Sequence, residues 1–237
     1  MVTTIHRADD RGKAEHGWLH SRFSFSFAQW YEPTKMGFGA LRVLNDDIIE
    51  PNSGFGMHEH DNMEIVTIVL NGAVTHTDTM GNKKLVPAGD VQMMSAGSGV
   101  MHSEFNESPD ERLELFQLWI LPKEKNTTPR YGQMSFNSEM GKNIWQTVVG
   151  EDKNSDMLPI HQDAYISRIV AEQNSGFEYS IKKEGNGAYF LVIDGSIHFE
   201  GVEYGKRDAI GISMAQNIIF TAGLEGATIL SIEIPMI

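Results

Sequence analysis

Two short segments carry side chains suited to holding a metal ion: His58-Glu59-His60 and, about forty positions later, His102-Ser103-Glu104. In a strand, side chains two apart share a face. His58 therefore points with His60, and His102 with Glu104. If the two segments pair as neighbouring strands, opposed side chains lie ~4.5–5.5 Å apart at Cβ. Three imidazoles and one carboxylate then converge on one point, as a divalent-metal centre requires. Either pair alone would carry little weight; the combination, spanning a hairpin-patterned region, carries the assignment. This nitrogen-rich set suits Fe, Mn, Co, Ni, Cu or Zn better than Ca or Mg, which favour all-oxygen shells. Four protein ligands on an octahedral ion leave two open positions, where substrate and dioxygen could bind side by side, whereas a closed tetrahedral zinc site would be structural and inert; the ligand types alone fit both. Glu64 competes for the carboxylate position, because parity puts it on the same face as His60.

The elements that must position these residues read as strands. Ile65-Val66-Thr67-Ile68-Val69-Leu70 is β-branched on both faces, as in a strand buried on both sides, and it ends at Asn71-Gly72, a hairpin-turn dipeptide. Ala73–Asp78 starts the return strand, and a second turn falls at Met80-Gly81-Asn82. Further strands are expected at Leu113–Leu121, Tyr165–Val170, Ala188–Ile193, Asn217–Thr221 and Thr228–Ile234, with one weak helical stretch near Asn137–Lys142. Many short strands between Gly and Asn turns predict an all-β barrel or sandwich.

An internal repeat sharpens the expectation. Val69-Leu70-Asn71-Gly72-Ala73-Val74-Thr75-His76 is echoed by Val192-Ile193-Asp194-Gly195-Ser196-Ile197-His198-Phe199, and Ala88-Gly89-Asp90-Val91 by Lys206-Arg207-Asp208-Ala209. Two matches in the same order predict tandem copies of one barrel, with residues 1–135 and 136–237 as the two domains and the boundary in the turn-rich stretch between Pro129 and Pro159. The offsets place Ile181, Lys183, Phe220 and Ala222 where the first copy has its four ligands. Only the first barrel is expected to hold metal.

Composition excludes several classes. The 19 Lys and Arg against 32 Asp and Glu give a formal charge of −13, which repels nucleic-acid phosphates and anionic membranes alike. There is no cysteine, hence no disulfide, thiolate site or cysteine nucleophile. Residues 1–12 lack the apolar core of a signal peptide, and the longest aliphatic run is far too short to span a bilayer, so a soluble cytoplasmic protein is expected. His6, His16, His20, His76, His161 and His198 are read as structural or surface residues. His76 and His198 in particular hold equivalent positions in the repeat, which points to a role in the fold.

The segment Gly54 to Glu64 and the segment Gly81-Asn82-Lys83-Lys84-Leu85-Val86-Pro87-Ala88-Gly89 together resemble the two cupin motifs. The chain departs from the general cupin pattern at Gln92, where a metal-binding His usually stands; that His comes later, in Ser95 to Glu104. This shift is a feature of the pirin family. Phe23–Ala28, Met36-Gly37-Phe38-Gly39, Leu41–Asp47 and Thr128-Pro129-Arg130-Tyr131 also resemble pirin sequences, so the similarity is strong over residues 5–135 and looser beyond.

The resemblance, closest to the bacterial pirin-like quercetinases, implies a bicupin of two jelly-roll barrels with metal ligands His58, His60, His102 and Glu104, and Fe(II) as the first expectation for the ion. It implies cleavage of a flavonol's central ring by dioxygen with release of carbon monoxide, and Glu104 as the base that takes the 3-hydroxyl proton. Phe38, Phe55, Met57 and Phe105 would receive the flat substrate, and Glu64 would be a supporting or buried hydrogen-bonding group. The alternative drawn from the same family is an iron-dependent regulator that binds a protein partner without catalysis.

Overall fold

A computed structural model describes residues 1–151 and 156–236. Apart from two 3-10 turns, Ala8–Asp10 and Ser138–Gly141, regular structure among the described residues is entirely strand. The first barrel is built from two sheets. A seven-stranded sheet runs in the order Arg130–Ser135, Asp90–Ser95, Glu64–Asn71, Leu113–Ile120, Leu41–Ile49, Leu19–Phe23 and Gly12–Glu15. Facing it is a four-stranded sheet ordered Ser53–His60, Val100–Asn106, Ala73–Asp78 and Lys83–Pro87.

The run Ile65–Leu70 sits inside strand Glu64–Asn71, buried on both faces. Its two faces meet different partners. Val69 joins Leu19, Ile49, Val74 and Leu115 inside the barrel, while Val66 and Ile68 pack with Phe116, Ile166, Leu191 and Leu230 in the core between the barrels. β-Branched residues on both faces are what such a position demands. At roughly 1.5–3 kcal/mol per buried large apolar side chain, this shared core holds the barrels together without help from a metal.

The second barrel is a nine-stranded sheet in which Asn186–Phe199 and Asn217–Pro235 are long enough to serve both of its faces. The strands expected at 188–193, 217–221 and 228–234 are therefore parts of two longer ones. The repeat is visible in the backbone: Gly72 and Gly195 both adopt positive φ, 71° and 73°, and a Cβ there would stand 2.6 Å from the carbonyl oxygen of Arg112 and 2.1 Å from that of Gly226. Ile181, Phe220 and Ala222, the counterparts of three proposed ligands, are buried in the apolar core of the second barrel, and Lys183 pairs with Glu151 and Asp163.

The turn-rich stretch between Pro129 and Pro159 also carries the strands Arg130–Ser135, Gln146–Gly150 and Leu158–Pro159, while residues 152–155 within it lie outside the described residues; the helical signal near 137–142 takes the form of the short 3-10 turn. The sheets change over after residue 135, where we propose the division of the chain. One strand crosses it: Val2–His6 pairs with Ala209–Ser213 of the second sheet.

Candidate metal centre

His58 and His60 stand on the edge strand Ser53–His60 of the four-stranded sheet, and His102 and Glu104 on the adjacent strand Val100–Asn106. The two strands are antiparallel, with His102 directly opposite His58. A bulge between His102 and Glu104 shifts the register so that Glu104 opposes Phe55. The three imidazoles form a near-equilateral triangle, with ring centroids 4.4, 4.9 and 5.0 Å apart. One nitrogen from each lies within 4.8 Å of the others. Glu104 falls in an overlapping group with His102 and His76. Both groups lie in the first barrel, and the described residues contain no other such cluster.

The protonation chemistry favours metal binding. Burial, followed by the neighbouring His58, pushes His60 down to about 4; burial and the surrounding imidazoles push His102 down to about 3. Both rings are thus neutral near pH 7, the form that donates a lone pair. His58 directs Nδ1 at the carbonyl oxygen of Gly56, 2.8 Å away, which leaves its Nε2 bare. His102 Nε2 is buried and has no hydrogen-bond partner. Such an orphaned atom is costly unless something fills its lone pair. These residues fit a divalent transition metal.

His76, read from the sequence as a fold residue, belongs to this site. It is fully buried, and its Nε2 lies 2.8 Å from Asp78 Oδ2. The Asp78 carboxylate also accepts from the backbone N–H groups of Met80 and Asn82 and from the Asn82 amide. Burial raises its pKa, but bonds from His76 and Asn82 outweigh this and hold it below the ordinary range. An ionised carboxylate only accepts, so His76 donates to it from Nε2 and turns its Nδ1 towards His102 Nδ1, 3.5 Å away. A neutral His76 in this position would draw the Nδ1 proton of His102 and keep the lone pair on His102 Nε2. The available signal was parity: His76-Thr77-Asp78 is another pair on one strand face. His198, the expected equivalent, is exposed.

Glu104 is buried and held by three donors: Thr67 Oγ1 and Gln92 Nε2 reach Oε1 at 3.1 and 3.3 Å, and Gln117 Nε2 reaches Oε2 at 2.5 Å. Gln92, standing where cupins commonly place a metal-binding His, here anchors this carboxylate. The indole of Trp119 donates to Gln117 at 3.0 Å. These anchors lie in one cross-strand row of the seven-stranded sheet, Phe23–Asn45–Gln117–Thr67–Gln92–Gln133.

A cavity of about 350 Å³ opens beside His58 and Glu104, walled by Trp18, Phe23, Phe27, Phe55 and Trp119. Of the four apolar residues expected to receive a flat substrate, only Phe55 lines it. Phe38 is buried against Tyr189 between the barrels, and Met57 and Phe105 are exposed. Glu64 is in neither histidine group. Its Oε2 accepts from Ser95 Oγ at 2.8 Å and from the backbone N–H of His161 at 3.0 Å, tying the first barrel to the second.

The comparisons with known proteins agree with this architecture. The Pirin family model matches residues 5–120, and the model of the quercetinase C-terminal cupin domain matches residues 147–234. A quercetin 2,3-dioxygenase from Escherichia coli (strain K12) is 43% identical, over 95% of this chain and 96% of the relative. The chain belongs to the pirin family. A pirin-like protein of Caulobacter vibrioides is 41% identical over 95% of this chain and 96% of that relative. Among solved structures, the bacterial pirin YhhW from Escherichia coli in complex with nickel(II) superposes with a TM-score of 0.92 at 40% identity, covering the whole of both chains. The pirin fold is thus an all-β bicupin, and its relatives include a nickel-bound member. No helix among the described residues is long and apolar enough to cross a membrane.

Proposed function

We propose that this pirin is a metal-dependent oxidoreductase of the quercetin 2,3-dioxygenase type, with His58, His60, His102 and Glu104 as the ligands of one divalent transition metal, Fe(II) in the first instance. The observation that carries the reading is that Glu104, adjoining the histidine cluster, also lines the aromatic-walled cavity. A flat flavonol entering between Trp18, Phe23, Phe27, Phe55 and Trp119 leaves water behind and brings its hydroxyl to that carboxylate.

A bound transition metal supplies positive charge that lowers the pKa of a coordinating hydroxyl, and a redox partner for dioxygen. The protein's own part is positioning and proton transfer. Thr67, Gln92 and Gln117 occupy three of the roughly four acceptor positions of the Glu104 carboxylate. One position is left for both roles, ligand in the resting site and acceptor of the 3-hydroxyl proton when substrate arrives. Trp119 links the cavity wall to that base through Gln117.

The test is oxygen uptake and carbon monoxide release by the purified protein with quercetin, after loading with Fe, Ni, Mn, Co, Cu or Zn. Turnover with at least one metal is expected. A protein inert with all six overturns the reading.

A further inference from the structure

The same cavity holds a second acid that the proposed reaction does not use. Asp47 and Asn45 stand two apart on strand Leu41–Ile49, so they share a face, and both line the cavity with His58, Glu104 and Gln117. Asp47 is 3% exposed and Asn45 4%. The Asp47 carboxyl accepts from the hydroxyl of Ser21, directly opposite it on strand Leu19–Phe23. Among the described residues no cation pairs with Asp47, and Arg11, whose charge acts on it, is engaged with Asp46. Asn45 Oδ1 is buried with no hydrogen-bond partner.

A buried amide oxygen without a donor and a buried carboxyl bonded to the Ser21 hydroxyl, on the wall of an aromatic-lined cavity, are matched by a ligand that brings hydroxyl groups. Asn45 opposes Gln117, the anchor of Glu104, one strand spacing of about 5 Å away, and Asp47 lies about 7 Å further along the strand. A ligand whose reacting hydroxyl sits at Glu104 would therefore place its far end against this pair. We infer that Asp47 and Asn45 form a hydroxyl-reading subsite, which selects planar aromatic substrates bearing phenolic hydroxyls at the end remote from the reacting one. This rests on the proposed function for the orientation of the substrate, but the recognition itself needs no turnover. Burial of the carboxyl, which pushes its pKa up to about 7, also makes it a good partner for a neutral phenol, since at that pKa a proton is readily shared.

The test separates binding from reaction. Luteolin, a flavone with four phenolic hydroxyls and no 3-hydroxyl, and unsubstituted flavone are titrated anaerobically into the metal-loaded protein, with calorimetry and quenching of the cavity tryptophans as readouts. The wild type is expected to prefer luteolin by about 10–100-fold, the size of one to two hydrogen bonds to a buried polar group. Asp47→Leu should bring that preference below about threefold while binding flavone at least as well, and Asn45→Leu should lower it partially. Asp47→Asn, which keeps an acceptor oxygen and the volume, guards against misfolding of the leucine variants and should retain most of the preference. Luteolin preference unchanged in folded Asp47→Leu overturns the subsite, even if quercetin is turned over. Loss of preference in that variant, in a protein that never oxidises quercetin, supports the subsite and removes the reaction.

Discussion

His76 and His102 face each other through their Nδ1 atoms, 3.5 Å apart, with Asp78 bound to the far side of the His76 ring. The chain Asp78–His76–His102 fixes which nitrogen of His102 is free. Strand Val100–Asn106 lies between its two neighbours, so His102 opposes His58 on one side and Asp78 on the other. One strand thus joins the cluster of imidazoles to the carboxylate that orients it.

Asp78→Asn should weaken metal binding by about 10–100-fold, the usual cost of losing a residue that orients a ligand, although position 78 is not among the proposed ligands. Competition with a chromophoric chelator reads this directly. Unchanged affinity would mean that the orientation of His102 is set by something other than this chain.

Glu104→Gln should retain most of its metal, because three imidazoles remain, and lose quercetin-dependent oxygen uptake by ~10²–10⁴-fold, the contribution of a general base. Metal content and oxygen consumption measured on the same preparation separate the two roles. Wild-type turnover would remove Glu104 from proton transfer.

Glu64→Ala should leave metal content intact and lower stability by about 1–3 kcal/mol, because the hydroxyl of Ser95 and the N–H of His161 lose their acceptor inside the protein. Burial raises the Glu64 pKa, against the opposing pull of those two donors, so the neutral isostere Glu64→Gln should cost much less. Denaturant unfolding alongside metal analysis checks both. Metal lost from Glu64→Ala at full stability would restore Glu64 as a ligand.

Asp47 imposes a pH dependence of defined sign. Burial raises its pKa from 3.8 to about 7, partly opposed by the bond from Ser21. Between these values the unfolded chain is ionised and the folded one protonated, so the contribution of Asp47 to stability is full below pH 3.8 and is lost as pH rises through about 7. Asp47→Asn has no such proton to lose. Its stability relative to wild type should rise by roughly 2–4 kcal/mol between pH 4 and pH 8, with the upper figure set by 1.36 kcal/mol per unit. A constant difference across that range would contradict the burial argument.

Metal analysis should return close to one ion per chain, and His58→Ala or His102→Ala should lose it while staying folded, given the apolar core between the barrels. A tightly held second ion in the C-terminal barrel is not expected, since Ile181, Phe220 and Ala222 pack there among apolar side chains. Elemental analysis and thermal unfolding of the variants test both statements.

That the histidines cluster was legible in the sequence because strand parity is local: whether residues 58 and 60, or 102 and 104, share a face depends only on a period of two, whereas Glu104 groups with His76 and His102. The repeat and its second copy without ligands were legible for a similar reason, since turn residues such as Gly72 and Gly195 answer to their own backbone angles. What surrounds the ligands was not. His76 backs His102, Gln92 and Gln117 anchor Glu104, and Asn45 and Asp47 line the cavity because strands far apart in the chain are laid side by side in a particular register. Parity left Glu64 and Glu104 equal as ligands. The tertiary structure separates their surroundings, because the end of strand Glu64–Asn71 abuts the second barrel, and a carboxylate there finds the N–H of His161 instead of the imidazoles. Local periodicity decides which way a side chain points; only the packing of sheets decides what it meets.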